Sequence, residues 1–162
     1  MKLTVVAVGR LKAGPERELA ERYRARAETL GRSLGVSVEV AELPESRARR
    51  EPDRMAEEAD AILRRAGAAA LVLFDERGRS LPSEAFAEKV GAWRDAGRPV
   101  VFVVGGPDGL APSLRDKAEL VLSFGALSLP HQLVRVLVLE QVYRSLTILS
   151  GHPYHRAGRD EA

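Results

Sequence analysis

Residues 98–110 read RPVVFVVGGPDGL, and the run Pro99–Val104 is continuously apolar. Successive side chains of a strand point to opposite faces, so a half-exposed strand would alternate apolar with polar residues. An unbroken run of this length fits a strand buried on both faces, the situation of a parallel sheet covered by helices. Gly105 ends the run. In Val104-Gly105-Gly106-Pro107-Asp108-Gly109-Leu110 the glycines lack the Cβ that would keep a ligand off the backbone and tolerate positive φ. Glycines after a strand are also common as plain turn chemistry, and the segment does not match the dinucleotide pattern G-x-G-x-x-G. By itself it leaves a ligand site and a simple turn equally open.

Working outward from this strand, the chain alternates strands with helices. Lys2–Gly9 reads as a buried strand, and Pro15–Leu30 as a helix with a proline and acidic residues in its first turn. Gly35–Leu43 alternates Val36, Val38 and Val40 with polar or small residues, which places it near a sheet edge. After the basic stretch Pro44–Pro52, Asp53 is expected to cap a helix reaching about Arg65. Ala69–Phe74 is a third strand and Asp75–Ser80 a turn, and a helix from Ser83 stops near Ala96–Gly97. Beyond residue 110 come a short helix at Pro112–Ala118, a short strand at Leu120–Ser123, the loop Phe124–Pro130 and a final helix from about His131 to Leu149.

Five strands, each followed by a helix, predict an α/β fold with a mostly parallel sheet flanked by helices. Ligands in such sheets sit beyond the carboxyl ends of the strands. Three loops come into view there: Phe74–Gly78, Gly105–Leu110 and Phe124–Pro130.

The whole chain bounds the function classes. At 162 residues and 45% hydrophobic it is one domain, residues 1–162, large enough for a core without staples. It contains no cysteine, which excludes thiol catalysis and cysteine-ligated zinc and fits a reducing compartment. Met1 leads directly into Leu3–Val8 without a signal-peptide pattern, and no apolar run approaches the ~20 residues of a membrane span. A soluble cytoplasmic protein that neither engages a membrane nor needs a metal is expected. Lysines and arginines number 25 against 23 acids, for a net charge of +2, so bulk charge says little. Arginines cluster at Arg22, Arg24 and Arg26, at Arg47, Arg49, Arg50 and Arg54, and, with His155, at Arg156 and Arg159. Each cluster is either a solvated surface or a phosphate grip.

In the last helix, eleven of the seventeen residues from Leu133 to Leu149 are apolar and, at about 100° per residue, point in nearly every direction. Leaving half of them wet would forfeit on the order of 10 kcal/mol, so both faces must be covered. A central helix in one chain would do this; a homodimer partner is the expectation carried forward. Glu140, Arg144 and Thr147 fall within about 60° of one another, a narrow polar stripe. There Arg144 either pairs with Glu140 along the helix or reaches toward a substrate. The tail Gly151-His152-Pro153-Tyr154-His155-Arg156 gathers proton-transfer, stacking and phosphate-binding groups. The alternative is an ordered tail packed on a neighbour. His131, directly after Pro130, either belongs to the site or only starts the helix.

Phe-Val-Val-Gly-Gly-Pro-Asp-Gly-Leu at 102–110, Leu-Ser-Leu-Pro-His-Gln-Leu-Val-Arg-Val-Leu at 127–137, Glu-Gln-Val-Tyr-Arg at 140–144 and His-Pro-Tyr-His-Arg at 152–156 form a specific set. With these motifs the chain resembles the RlmH family, SPOUT-class methyltransferases that methylate N3 of a pseudouridine in large-subunit (23S) ribosomal RNA. The resemblance extends over nearly the whole chain. It implies a C-terminal trefoil knot within approximately residues 70–156, a topology that ordinary folding rules would discard. It implies S-adenosyl-L-methionine (SAM) held by Phe74 in the first loop, Gly105 and Gly106 in the second, and Gly125, Ala126, Leu127, Ser128, Leu129 and Pro130 in the third. It further implies a homodimer on the ribosome, each tail closing over the partner's site, with His131, Arg144, Tyr154, His155 and Arg156 around the target base. The chain departs from the family chiefly in its extension Ala157–Ala162, which bears on the tail's geometry. A rival reading is a non-catalytic ribosome-binding dimer of the same fold. A nucleotide-dependent oxidoreductase would need a dinucleotide fingerprint near the first strand, and Val8-Gly9-Arg10-Leu11 lacks one.

Overall fold

A computed structural model describes residues 1–156. In chain order its elements are β1 (Lys2–Val8), α1 (Pro15–Ser33), β2 (Ser37–Leu43), α2 (Glu51–Ala66), β3 (Ala70–Arg79), α3 (Ser83–Asp95), β4 (Val100–Val104), α4 (Pro112–Lys117), β5 (Leu120–Leu122) and α5 (His131–Ser150). The five strands form one sheet in the order β2-β1-β4-β3-β5, and every neighbouring pair is parallel. The run of residues 100–104 is buried on both faces, as its composition requires, and is the central strand, while the alternating strand β2 lies at an edge.

Period-two geometry then divides the core. Leu3, Val5 and Ala7, with Ala70, Val72 and Phe74 and with Val100, Phe102 and Val104, face α1, α3 and α5. Val6 and Val8, with Leu71 and Leu73 and with Val101 and Val103, face α2 and α4. α1 starts with Pro15 and carries Glu16 and Glu18 in its first turn and Arg32 in its last, each placed to complement the helix dipole. α5 ends at Gly151, whose φ of 73° is the left-handed conformation that closes helices.

Three expectations need correction. Asp53 does not cap α2: the helix starts at Glu51 behind Arg50, with Pro52 in its first turn, and Asp53 contributes only its charge there. Residues 75–79 are not a free turn, because Phe74 and Arg79 both pair with Leu122 and the intervening residues loop out as an irregularity within β3. Gly78 permits this, since a Cβ there would stand 2.6 Å from the Leu122 carbonyl carbon. The third correction concerns the last helix. Most of the cover of α5 comes from its own chain: it lies on the sheet between α1 and α3, with Val136, Val138, Leu139, Val142 and Leu146 buried and Leu133 left exposed. Its all-round apolarity is therefore that of a central helix and does not by itself call for a partner. Thr147 is fully buried and bonds the Arg144 carbonyl oxygen, so it leaves the polar stripe as well.

Phe102, fully buried, has the rings of Phe74, Phe86 and Trp93 at centroid distances of 5.9, 5.5 and 6.2 Å. Phe102→Ala is expected to cost about 3–5 kcal/mol in urea unfolding, because this aromatic cluster cannot collapse onto the space left behind.

Candidate functional site

Because the strands are all parallel, their carboxyl ends share one edge, and the three loops leaving β3, β4 and β5 meet there. They enclose an open cavity of about 580 Å³, within the range of small-molecule sites. Phe74, Asp75, Glu76 and Arg77 line it from the first loop, Gly105–Leu110 from the second, and Ser123, Phe124, Gly125 and Leu127–Leu129 from the third. Glu51 and Met55 of α2, Pro112, and His131 and Val134 of α5 complete the wall.

Polar ties hold these loops in place. Arg54 donates from Nε and Nη2 to the two carboxylate oxygens of Asp108, at 2.7 and 3.2 Å, and from Nη1 to the carbonyls of Ala48 and Arg49. One guanidinium thus joins the glycine loop to the segment before α2 and holds the Asp108 carboxyl below its ordinary range through that hydrogen bond. Ser128 Oγ donates to Glu76 at 3.3 Å, linking the third loop to the first. The Phe74 and Phe124 rings stack with centroids 5.3 Å apart.

Of the residues anticipated to hold a cofactor, Phe74, Gly105, Gly106, Gly125, Leu127, Ser128 and Leu129 line this cavity. Ala126 and Pro130 do not; Pro130 is instead the cap residue of α5. His131, in the first turn of α5, faces the cavity as well as starting the helix. Asp75, Glu76 and Phe124 belong to the loops singled out in the sequence but were not named individually as site residues, and Glu51 and Met55 were not anticipated at all. The first three adjoin strand ends, where the carboxyl-end rule points, whereas nothing in the local pattern marks Glu51 or Met55.

The lining suits SAM on its own chemistry. A Cβ on Gly105 would meet Leu110 at 3.1 Å and the Gly109 carbonyl carbon at 3.2 Å, and one on Gly106 would meet Val8 at 3.1 Å. A side chain at either position would crowd these neighbours, so this stretch of wall presents backbone amides and carbonyls, groups that could meet an adenine edge. Phe124 and Leu127 supply exposed apolar surface, and Glu51 and Glu76 supply carboxylates beside a cationic ligand.

The remaining anticipated residues lie elsewhere. The tail folds back along α5, where the Tyr154 hydroxyl donates to Glu140 at 3.1 Å and its ring packs edge-on against Tyr143. Arg144 bonds Glu140 through Nε and Nη2, holds its guanidinium 4.9 Å from the Tyr154 ring centre, and points Nη1 at His155 Nδ1, 3.0 Å away. His155 Nε2 reaches Glu84 at 3.0 Å. Arg144 therefore makes the intrahelical pair and meets the tail as well. An arginine donor against Nδ1 and a carboxylate against Nε2 match a neutral imidazole with its proton on Nε2. This contact with His155 lowers the Glu84 carboxyl, while burial and the neighbours Tyr23 and Glu140 push the Tyr154 phenol well above its ordinary value. Arg156 is exposed. None of Arg144, Tyr154, His155 and Arg156 lines the cavity, so a single chain keeps the anticipated site in two parts.

Comparison with known proteins agrees with this architecture. Residues 1–155 match the family model described as "Predicted SPOUT methyltransferase". The chain is 65% identical over 160 residues to "Ribosomal RNA large subunit methyltransferase H" of Methylobacterium radiotolerans, covering 96% of this chain and 98% of that one. The protein of the same name from Rhodopseudomonas palustris is 60% identical, covering 97% of this chain and all of its own length. Among solved structures, a probable methylase family protein from Haemophilus influenzae superposes with a TM-score of 0.54 at 16% identity, over 95% of this chain and 70% of that one. A probable methyltransferase from Bordetella pertussis superposes with a TM-score of 0.53 at 14% identity, over 89% and 95% respectively. At such identities the two structures speak for the fold alone. The family model and the relatives, extending over nearly the full chain, establish the rest: this chain belongs to the SPOUT methyltransferase family.

Proposed function

We propose that this protein transfers a methyl group from SAM to N3 of a pseudouridine in large-subunit ribosomal RNA, as a homodimer acting on ribosomes in the cytoplasm. The observation that carries the proposal is the convergence of the three carboxyl-end loops on one backbone-walled cavity. The substrate follows from the resemblance of the motifs and from the name that the relatives carry. A single domain over residues 1–162, knotted within approximately 70–156, belongs to the same reading; its last residues, Ala157–Ala162, lie outside the described structure.

SAM, when bound, supplies a methyl group made electrophilic by its sulfonium. The protein must seat the base, remove the N3 proton and neutralise phosphate. Gly105 and Gly106, with Gly125, Leu127, Ser128 and Leu129 of the third loop and Phe74 of the first, would hold the cofactor. A histidine, His131 at the cavity or His155 on the tail, would accept the N3 proton as the N–C bond forms and the methyl–sulfur bond breaks, leaving a neutral thioether. Arg144 and Arg156 meet phosphate, and Tyr154 stacks on or orients the base. A homodimer would unite the two parts of the site by laying each tail over its partner's cavity. Exposed apolar side chains at the cavity, Phe124, Leu127 and Leu129, and Leu133 in the first turn of α5 favour such a cover.

Labelled methyl from SAM should appear on one pseudouridine of ribosomes lacking the modification, mapped by mass spectrometry of the digested RNA. Methyl on a different base or on no ribosomal RNA would overturn the proposed substrate.

Gly106→Val should weaken SAM binding at least ~10-fold by calorimetry, and His155→Ala should lower kcat about 10²-fold or more with SAM binding intact. Mixed after subunit exchange, the two inactive variants should recover about one quarter of wild-type activity, because mixed dimers keep one intact site. No recovery would place each site within one subunit.

The raised phenol of Tyr154 stays protonated across the neutral range, so it is not the base. Tyr154→Phe should accordingly lower the rate yet leave the shape of the kcat–pH profile between about pH 6 and 9 unchanged.

A further inference from the structure

A second depression on the carboxyl edge of the sheet, over β1 and β2, takes no part in the reaction outlined above. It is a groove of about 500 Å³ edged by Arg10, Arg17, Arg24 and Arg135 against two carboxylates, Glu21 and Glu42. Two of the arginines are committed. Arg135 is buried and donates to Glu42 and to the Gly9 carbonyl, and Arg24 donates twice to Glu21. Arg10 and Arg17 are exposed, and among the described residues neither side chain makes a hydrogen bond or an ion pair. Four arginines face two carboxylates in the lining, which leaves two positive charges in excess, and the hydrogen bonds of both carboxylates go to other groups. The groove also has a fixed relation to the cofactor cavity, because the first turns of α5 separate them: His131 and Val134 face the cavity, and Arg135 and Leu139 face the groove.

We propose that this groove binds the phosphodiester backbone of the RNA substrate next to the nucleotide being modified. The inference rests on the reading of the protein as a ribosomal RNA methyltransferase and adds where the strand lies. Guanidinium forks without intramolecular partners match phosphate oxygens, and each phosphate so neutralised releases counterions and adds to the salt dependence of binding. A strand held there crosses the start of α5 and delivers its next nucleotides to the cavity mouth. The residues come from three elements, α1, β2 and α5, and the loop after β1, so the site exists only in the folded chain.

The test compares wild type with Arg10→Gln/Arg17→Gln and with a control, Arg32→Gln/Arg64→Gln. The control removes the same charge from the last turns of α1 and α2, at the opposite edge of the sheet. Binding to ribosomes lacking the modification is measured across a KCl series, alongside kcat, KM and SAM affinity. The groove variant is expected to lose roughly 1.4–1.8 from the slope of log K against log salt, the share of two phosphate contacts. Its KM for ribosomes should rise about tenfold, with kcat and SAM affinity unchanged and the control near wild type. An unaltered slope and KM in the groove variant would overturn the groove while leaving the activity standing, as would an equal loss in the control. Wild type that binds ribosomes with the expected slope change but transfers no methyl would refute the activity and keep the groove. Wild type that does not bind ribosomes at all would refute both.

Discussion

A strand covered on both faces imposes the constraint from which the rest of this structure follows. Between its helix layers, β4 offers no side-chain route to water, so every polar or ligand-binding feature is displaced to the ends of the sheet. Parallel pairing then makes the two ends unequal, because all strands exit at the same edge and all helices begin there. The glycine loop and the carboxylates and arginines of both depressions lie at that edge for this reason, and the opposite edge carries the helix ends. The cofactor cavity is the place where three of these exits are close enough to share a wall.

Buried Arg135 fixes how the last helix meets this edge. Its guanidinium lies between Glu42 at the end of β2 and the carbonyl of Gly9 after β1, and Glu42 also accepts from the Leu11 amide at 2.8 Å. Despite the cost of burying the Glu42 carboxylate, its bonds to Arg135 and Leu11 hold it ionised, with its pKa lowered. An apolar residue at 135 would leave the Gly9 carbonyl and the carboxylate underbonded. The position of α5 across the sheet is thus specified by one charged group, while its adhesion comes from the apolar residues on either side.

Much of this was legible in the chain, for identifiable reasons. Hydrophobic period and length located all five strands and five helices, the uninterrupted apolarity of 100–104 predicted a strand covered on both faces, and the alternation in 36–43 predicted one near an edge. Most of the cavity wall was likewise readable, because glycines and strand ends are local signals. Information that is not local was lost. The apolarity of α5 reports that its faces are covered but not by what, and α1, α3 and the sheet cover most of it within one chain. The irregular end of β3 looks like a turn because Asp75–Arg79 is polar, and pairing of Arg79 with Leu122 depends on a strand over forty residues away. The groove arginines are scattered from position 10 to 135, so no window of sequence contains them.

Leu127 stands 84% exposed in the third loop, with Phe124, Leu129 and Leu133 also uncovered nearby. A methyl-rich surface left in water is a free-energy reservoir, drawn on by whatever docks against it and denied to the unfolded chain. By mass action, any molecule that covers this rim raises the melting temperature in proportion to the logarithm of its concentration over its dissociation constant. The robustness of the fold is therefore a function of its surroundings as well as of its sequence, and dilution is itself a mild denaturant wherever the cover is another protein.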